Sequence, residues 1–319
     1  MLFFAIIPIL LWSSATNASL LGTVPRVDTG QVRLLTEMQS DLWTSPNQEK
    51  ADPLRRYNLA GKLPVLFNDR WSASLNLEAE GLRIGRPGLI IGNDAIEVNT
   101  DLRSQSAGVG VQRRDEDGSW FSLFGSYESA SNEPFKDKRD RYFAGTAIYA
   151  FEPSEKWQWI VGANQSNNRG IRNGQIMPIG GVFYRPNLNL TVAFGLPFLL
   201  IEWKNESSVF NLTATLVGIE GNLRKDFAND FFYQFKSGLS SRAYLHNDRI
   251  KDKNRIFFEE KYIEGGVGVR LSARTHTVLV IGQSFDRRVY EAEAIFKKTG
   301  TDHRIKADLY GTLGLEFIL

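Results

Sequence analysis

A strict two-residue period, held without interruption through segments such as 70–84 and 306–319, is the feature that most constrains this chain. Trp71, Ala73, Leu75, Leu77 and Ala79 fall on one parity, and Ser72, Ser74, Asn76, Glu78 and Glu80 on the other. The last residues repeat the pattern. Ile305, Ala307, Leu309, Gly311, Leu313, Leu315, Phe317 and Leu319 alternate with Lys306, Asp308, Tyr310, Thr312, Gly314 and Glu316. Successive side chains along a strand point to opposite faces, so each segment carries one apolar and one polar face. Strands of a soluble sandwich usually run about five or six residues between frequent turns. These are longer. No long amphipathic helix is evident; Arg287 to Lys298 is the best candidate, and it is short.

The breaks between alternating segments come in two kinds. Short ones fall at Phe67–Arg70, Arg114–Gly118, Glu152–Lys156, Pro186–Asn189, Leu223–Asp230 and Ser272–Thr275. Longer polar links fall at Thr44–Pro53, Gly85–Ala95, Ala130–Arg139, Ser166–Gln175, Lys204–Ser207, His246–Asn254 and Asp286–Arg304. Their Gly, Pro, Asn, Asp and charge are breaker chemistry. Short alternating with long is the rhythm of a closed antiparallel transmembrane β-barrel, which has tight periplasmic turns and long external loops. The count is about fourteen strands, or twelve if Pro178 and Pro197 interrupt two of them. Both termini are then periplasmic. Trp and Tyr residues near strand ends (Trp43, Trp71, Trp120, Tyr127, Tyr142, Trp157, Trp159, Tyr184, Trp203, Tyr310) are expected as interfacial girdles.

Leu2 to Trp12 is an apolar run too short to span a bilayer and matched in length to the core of a signal peptide, with a small residue at Ala18 for cleavage. The expected organisation is a signal peptide over 1–18, a short periplasmic extension over 19–30 and one barrel over 31–319. The 38 Lys and Arg balance 36 Asp and Glu, leaving +2, which removes the electrostatic case for nucleic-acid binding. With no cysteine, thiolate metal sites, disulfides and cysteine nucleophiles are excluded. Neither a cofactor nor a metal is expected.

Thr312-Leu313-Gly314-Leu315-Glu316-Phe317-Ile318-Leu319 resembles the C-terminal sorting signal of Gram-negative outer-membrane barrels, with Thr312, Gly314, Phe317 and Leu319 in the signal places. Leu319 departs from the aromatic residue common at the end. The stretch Met177 to Asn187 resembles small outer-membrane barrels of unknown function. The resemblance implies an outer-membrane location and recognition of the last strand by the barrel-assembly machinery. It brings no activity.

Charges of both signs on the polar parity cost a few kcal/mol each against lipid, so they should line a lumen. Those expected there are Arg56, Lys62, Glu78, Glu80, Glu97, Asp101, Arg103, Lys236, Lys306 and Asp308. Three readings follow. One is a passive porin-like channel for ions or small polar solutes. A second is a closed structural or surface-binding barrel, whose loop charges (Lys136 to Arg141, Asp248 to Arg255, Asp286 to Arg288) can meet lipopolysaccharide phosphates. The third is an enzyme acting on lipid or lipopolysaccharide, for which His246 with Asp248, or His303, would be catalytic, with Ser240 and Ser241 nearby in sequence. A monomer is expected.

Overall fold

The computed structural model describes residues 31–42, 54–84, 88–92, 96–98, 101–295, 297, 302–305 and 308–318. The proposed signal peptide and the extension to residue 30 lie outside them. The alternation resolves into sixteen barrel strands. Strands β1 (Arg33–Asp41), β2 (Arg55–Phe67), β3 (Trp71–Arg83) and β4 (Asp101–Arg114) are followed by β5 (Trp120–Ser131), β6 (Arg141–Ala150), β7 (Trp157–Ser166) and β8 (Ile176–Asn187). Then come β9 (Leu190–Leu196), β10 (Phe198–Lys204), β11 (Ser208–Thr215) and β12 (Gly218–Asp226). The last four are β13 (Phe231–Tyr244), β14 (Arg255–Ser272), β15 (Thr275–Ala292) and β16, which runs His303–Ile305 and then Asp308–Ile318. Each pairs antiparallel with its neighbours. The ring closes where β1 meets β16, with Arg33 opposite Ile318 and Asp41 opposite Tyr310.

The count of sixteen corrects fourteen, and the reason is local. Residues 190–203 and 208–222 each read as one strand, but each contains a hairpin with almost no loop. Phe194 pairs with Leu199 around Pro197, and Thr215 pairs with Gly218. Lys204–Ser207 is consequently a turn on the periplasmic rim, not an external link. The β15–β16 link is also shorter than expected. Two residues of β15, Asp286 and Arg287, oppose the single residue Glu260 of β14, and Asp286 has φ 51°. This bulge shifts the parity of everything after it. A strand running to Ala292 therefore reads as loop, or as a short helix.

Parity sets the two faces. Leu59, Leu63, Leu77, Leu123, Val161, Phe235, Leu279, Ile281 and Leu313 point outward and are exposed. Ser72, Ser74, Asn58, Glu80, Gln234 and Lys236 point inward and are buried. An apolar outer wall around a polar interior is the inverse of a soluble protein and suits lipid. Trp71, Trp157, Trp159, Trp203 and Tyr127 are exposed near strand ends, as a girdle requires. Trp120, Tyr142 and Tyr310 are corrections, because they are buried in the barrel interior. Trp43 lies outside the described residues.

The repeated Gly-Val-Gly segments have a packing reason. A Cβ on Gly108 would come within 2.8 Å of Phe124, and one on Gly268 within 2.0 Å of Phe232. Each glycine leaves room for an aromatic ring to lie flat on the neighbouring strand. Gly282 does the same for Tyr310, at 2.4 Å, so Gly282→Val should cost about 1–3 kcal/mol through overpacking. Urea unfolding of the micelle-refolded chain, followed by tryptophan fluorescence, measures that loss.

Candidate functional site

The barrel interior divides into a charged half and an apolar half. On the charged side, Asp41 ends β1, Arg56 begins β2 and Glu80 lies high on β3, while β13, β14 and β15 supply Arg242, Glu260 and Arg287. Arg56 meets Glu260 at 2.6 Å, and Arg242 pairs with Glu80 and, at 3.4 Å, with Glu260. Arg287 grips Asp41 with two hydrogen bonds of 2.8 and 2.9 Å and stands 3.8 Å from Glu260. The result is three guanidiniums against three carboxylates, all buried except Arg56, whose side chain is 10% exposed. Without the bulge, Arg287 would share the parity of Phe285, which faces out; the extra residue turns it inward.

A roof covers this cluster. Tyr244, Ile256, Phe258 and Val289 on the upper ends of β13–β15 pack against Leu54, Leu82, Leu102, Ala130 and the hairpin residues Leu89 and Ile91. On the other face of the same three strands, Ala243, Phe257 and Tyr290 form a cross-strand row. That row is buried against Met177, Val217, Ile295 and Ile171. With both faces covered, the upper sheet of β13–β15 does not continue the wall. It crosses the mouth as a partition. The Leu245 amide reaches the Ala130 carbonyl at 2.6 Å, and Ser131 pairs with Leu245, joining β13 to β5 from the far side of the ring.

Two loops fasten the partition. Buried Arg249 bonds Asp140 at 2.9 Å, the His246 carbonyl at 2.7 Å and the Arg139 carbonyl. Arg139 returns the contact to the Arg249 carbonyl at 2.8 Å and to Asp252 at 2.7 Å. Behind it, Arg169 donates to the carbonyls of Asn164, Ile171, Arg172 and Gln175, which holds the β7–β8 loop in shape. Asn168 on that loop reaches the Ala243 carbonyl at 2.9 Å. The apolar half of the interior is filled by Trp120, Ile148, Ile160, Ile179, Phe183, Phe198 and Leu200. Below the charged cluster, and partly lined by its Arg56 and Glu260, remains a small cavity of about 40 Å³. Glu37, Asn58, Lys236, Glu264, Tyr262 and Tyr310 are among its lining residues.

The residues expected to line a lumen divide accordingly. Arg56, Glu80 and Lys236 face inward and are ion-paired, Lys236 to Glu264 at 3.2 Å. Lys62, Glu78 and Asp308 share the inward parity. Asp101 and Arg103 do not. They sit on the outer parity at the upper rim with Arg83, because their strand begins one register step from the lumen face. Glu97 is exposed in a small hairpin (Ile96–Val98) of the β3–β4 loop, and Lys306 lies outside the described residues. Asp41, Arg242 and Glu260 are not among those expected, and Arg287, expected in an external loop, lies buried in the interior on Asp41. Parity carried through β1 and β13 reaches Asp41 and Arg242, but the bulge conceals Arg287.

His246 and His303 each contact loop backbone. His246 is buried; its Nδ1 accepts from the Asp248 amide at 3.2 Å, and its Nε2 has no hydrogen-bond partner. Asp248 Oδ2 stands 3.9 Å away, while Ser240 faces the lumen beside Arg242. His303 Nε2 lies 2.6 Å from the Ile90 carbonyl. Burial pushes the His246 imidazole below its ordinary range against the pull of Asp248 and Asp140, and burial raises the Asp140 carboxyl against the pull of Arg249. Among the described residues no group of three or more His, Cys, Asp or Glu is placed to hold a metal ion. Of the sorting-signal residues, Thr312, Gly314 and Phe317 lie on β16, which pairs with both β15 and β1. Leu319 lies outside the described residues.

A closed ring of sixteen strands with an apolar outer band and a polar interior is a transmembrane barrel of the outer-membrane type, and the outer membrane is its location. No family model matches the chain, and no curated protein matches it. Solved structures similar to it include an outer-membrane channel from Pseudomonas putida F1, 10% identical with a TM-score of 0.38, covering 92% of this chain and 97% of that one. The toluene transporter TodX of Pseudomonas putida is also 10% identical, with a TM-score of 0.39 over 92% and 90% of the two chains. OmpF of Salmonella typhi is 11% identical, with a TM-score of 0.32 over 91% and 96%. Likeness this loose carries no solute or activity across.

Removing one partner of a buried pair leaves the other charge uncompensated, at about 3–5 kcal/mol. Arg287→Ala should lose that much stability in urea unfolding, while the double change Asp41→Leu with Arg287→Met should recover most of it.

Proposed function

We propose that the protein is an outer-membrane channel for ions or small polar solutes that stands closed at rest. A ring of sixteen strands has the girth for an aqueous passage, and its charged interior suits polar solutes better than apolar ones. The observation that carries the closed state is the partition of β13–β15, docked across the mouth on β5 and the loop that follows it. Its fastening is entirely non-covalent. Of its ion pairs, Arg139 with Asp252 is exposed and readily exchanged for water, while Arg249 with Asp140 is buried. Opposed charges of equal number in the cluster argue against strong ion selectivity once it is open.

The test is conductance of the refolded chain in a planar bilayer at neutral pH. Wild type should be silent or nearly so. The double variant Arg139→Ala with Arg249→Ala removes both reciprocal contacts of the loop joint and should give discrete current steps. Reproducible steps from wild type would return the barrel to the constitutively open class. Silence from a correctly folded double variant would leave the surface-binding reading.

A further inference from the structure

The joint between the β5–β6 and β13–β14 loops holds a buried histidine, His246, among several charged groups. We infer that this joint is an acid-released latch, triggered by protonation of His246 at Nδ1. The inference rests on the closed-at-rest reading and adds the signal that opens it.

The geometry fixes the state of the ring. Nδ1 accepts the Asp248 amide hydrogen at 3.2 Å, so in the neutral imidazole the proton is on Nε2. Adding a second proton places an N–H at Nδ1, facing the Asp248 N–H. Two donors then oppose each other inside a side chain that is 2% exposed. The turn from His246 to Arg249 cannot keep its form. Arg249 stands at the far end of that turn, bonded to the His246 carbonyl, Asp140 and the Arg139 carbonyl, so a change in the turn reaches the fastening directly. A better arrangement is at hand in the open form. Asp248 Oδ2 is 3.9 Å from Nδ1 and its side chain is largely in solvent, ready to accept from the imidazolium once the turn relaxes.

The charged groups around His246 come from both loops. Asp248 and Arg249 lie on its own loop, and Asp140 and Glu133 on the opposite one. Asp248, Asp140 and Glu133 favour the proton, while Arg249 and burial oppose it, and burial is the largest effect. The imidazole therefore titrates below its ordinary range in the closed form. A group with a depressed imidazole range binds its proton more tightly when released, so the closed state loses stability as pH falls below about 6.5. Asp140, raised by burial, works in the opposite direction and favours the closed joint as pH falls.

Two readouts on the full chain in micelles and bilayers test this. One is hydrogen exchange of the segment 242–250, normalised to the intrinsic rate at each pH. The other is bilayer conductance over the same range. From pH 7.5 to 5.5 the opening equilibrium of wild type should rise, by up to about tenfold per pH unit below the ordinary imidazole range. His246→Asn puts a carbonyl oxygen where Nδ1 stands, keeps an acceptor for the Asp248 amide and cannot titrate. It should stay protected throughout. A pH response that persists in His246→Asn, or wild-type exchange that is flat with pH, overturns the latch. If Arg139→Ala with Arg249→Ala conducts at every pH while wild type is flat, the trigger falls and the closed channel stands. If exchange follows His246 but no variant conducts, the latch stands and the channel falls.

Discussion

A charge in the wall of a membrane barrel can be kept only where another charge, or water, compensates it, and here the compensation is internal. Asp41 and Arg287 close a two-bond grip from strands β1 and β15, and Glu260 receives Arg56, Arg242 and Arg287 together. The six groups come from six different strands. The pairings Arg56–Glu260, Arg242–Glu80 and Arg287–Asp41 therefore fix the separation of strands that are not neighbours, and the partition lies above them. Such a cluster contributes little net stability compared with apolar packing of the same volume. It specifies which walls meet.

How much of this the sequence discloses depends on whether alternation survives locally. Along Trp71–Arg83 and Phe231–Tyr244 it does, and Glu80 and Lys236 are placed by parity alone. At Asp286 it fails. One inserted residue in an otherwise regular strand reverses the facing of Arg287, Val289 and Glu291, and a pattern of period two then reads as loop. Around Pro197 and Leu216–Val217 the failure is different. A reversal that needs no loop leaves no breaker-rich stretch to find, so two hairpins read as two strands. The partition had no sequence signal. Its faces carry Tyr244, Ile256, Phe258 and Val289 on one side and Ala243, Phe257 and Tyr290 on the other, as in strands buried on two sides, and the long-range pairing of Leu245 with Ser131 shows where it goes.

The same sheet explains why the loops are ordered as they are. Arg169 gives its donors to carbonyls of its own loop, Asn168 to Ala243 of β13 and Arg249 to Arg139 of the β5–β6 loop, which is costly in exposed segments unless the groups are covered. Here each covers another: the β7–β8 loop lies on the outer face of β13–β15, and the β5–β6 loop on its edge. Removing any one would leave buried carbonyls without donors. The external surface of the barrel thus behaves as one folded layer rather than as independent loops.

The wall itself is uneven. Strands β14 and β15 are 18 residues each, whereas β9 and β10 have seven and β11 has eight. A tilted strand needs roughly nine to eleven residues to cross the hydrocarbon. Lipid beside β9–β11 must therefore shorten or tilt its chains to match, while lipid on the opposite side need not. The protein carries a dimple in the bilayer fixed to one side of its circumference. Two such barrels that bring their dimples together deform less membrane than two apart, so the lipid alone gives this barrel a preferred facing toward its neighbours.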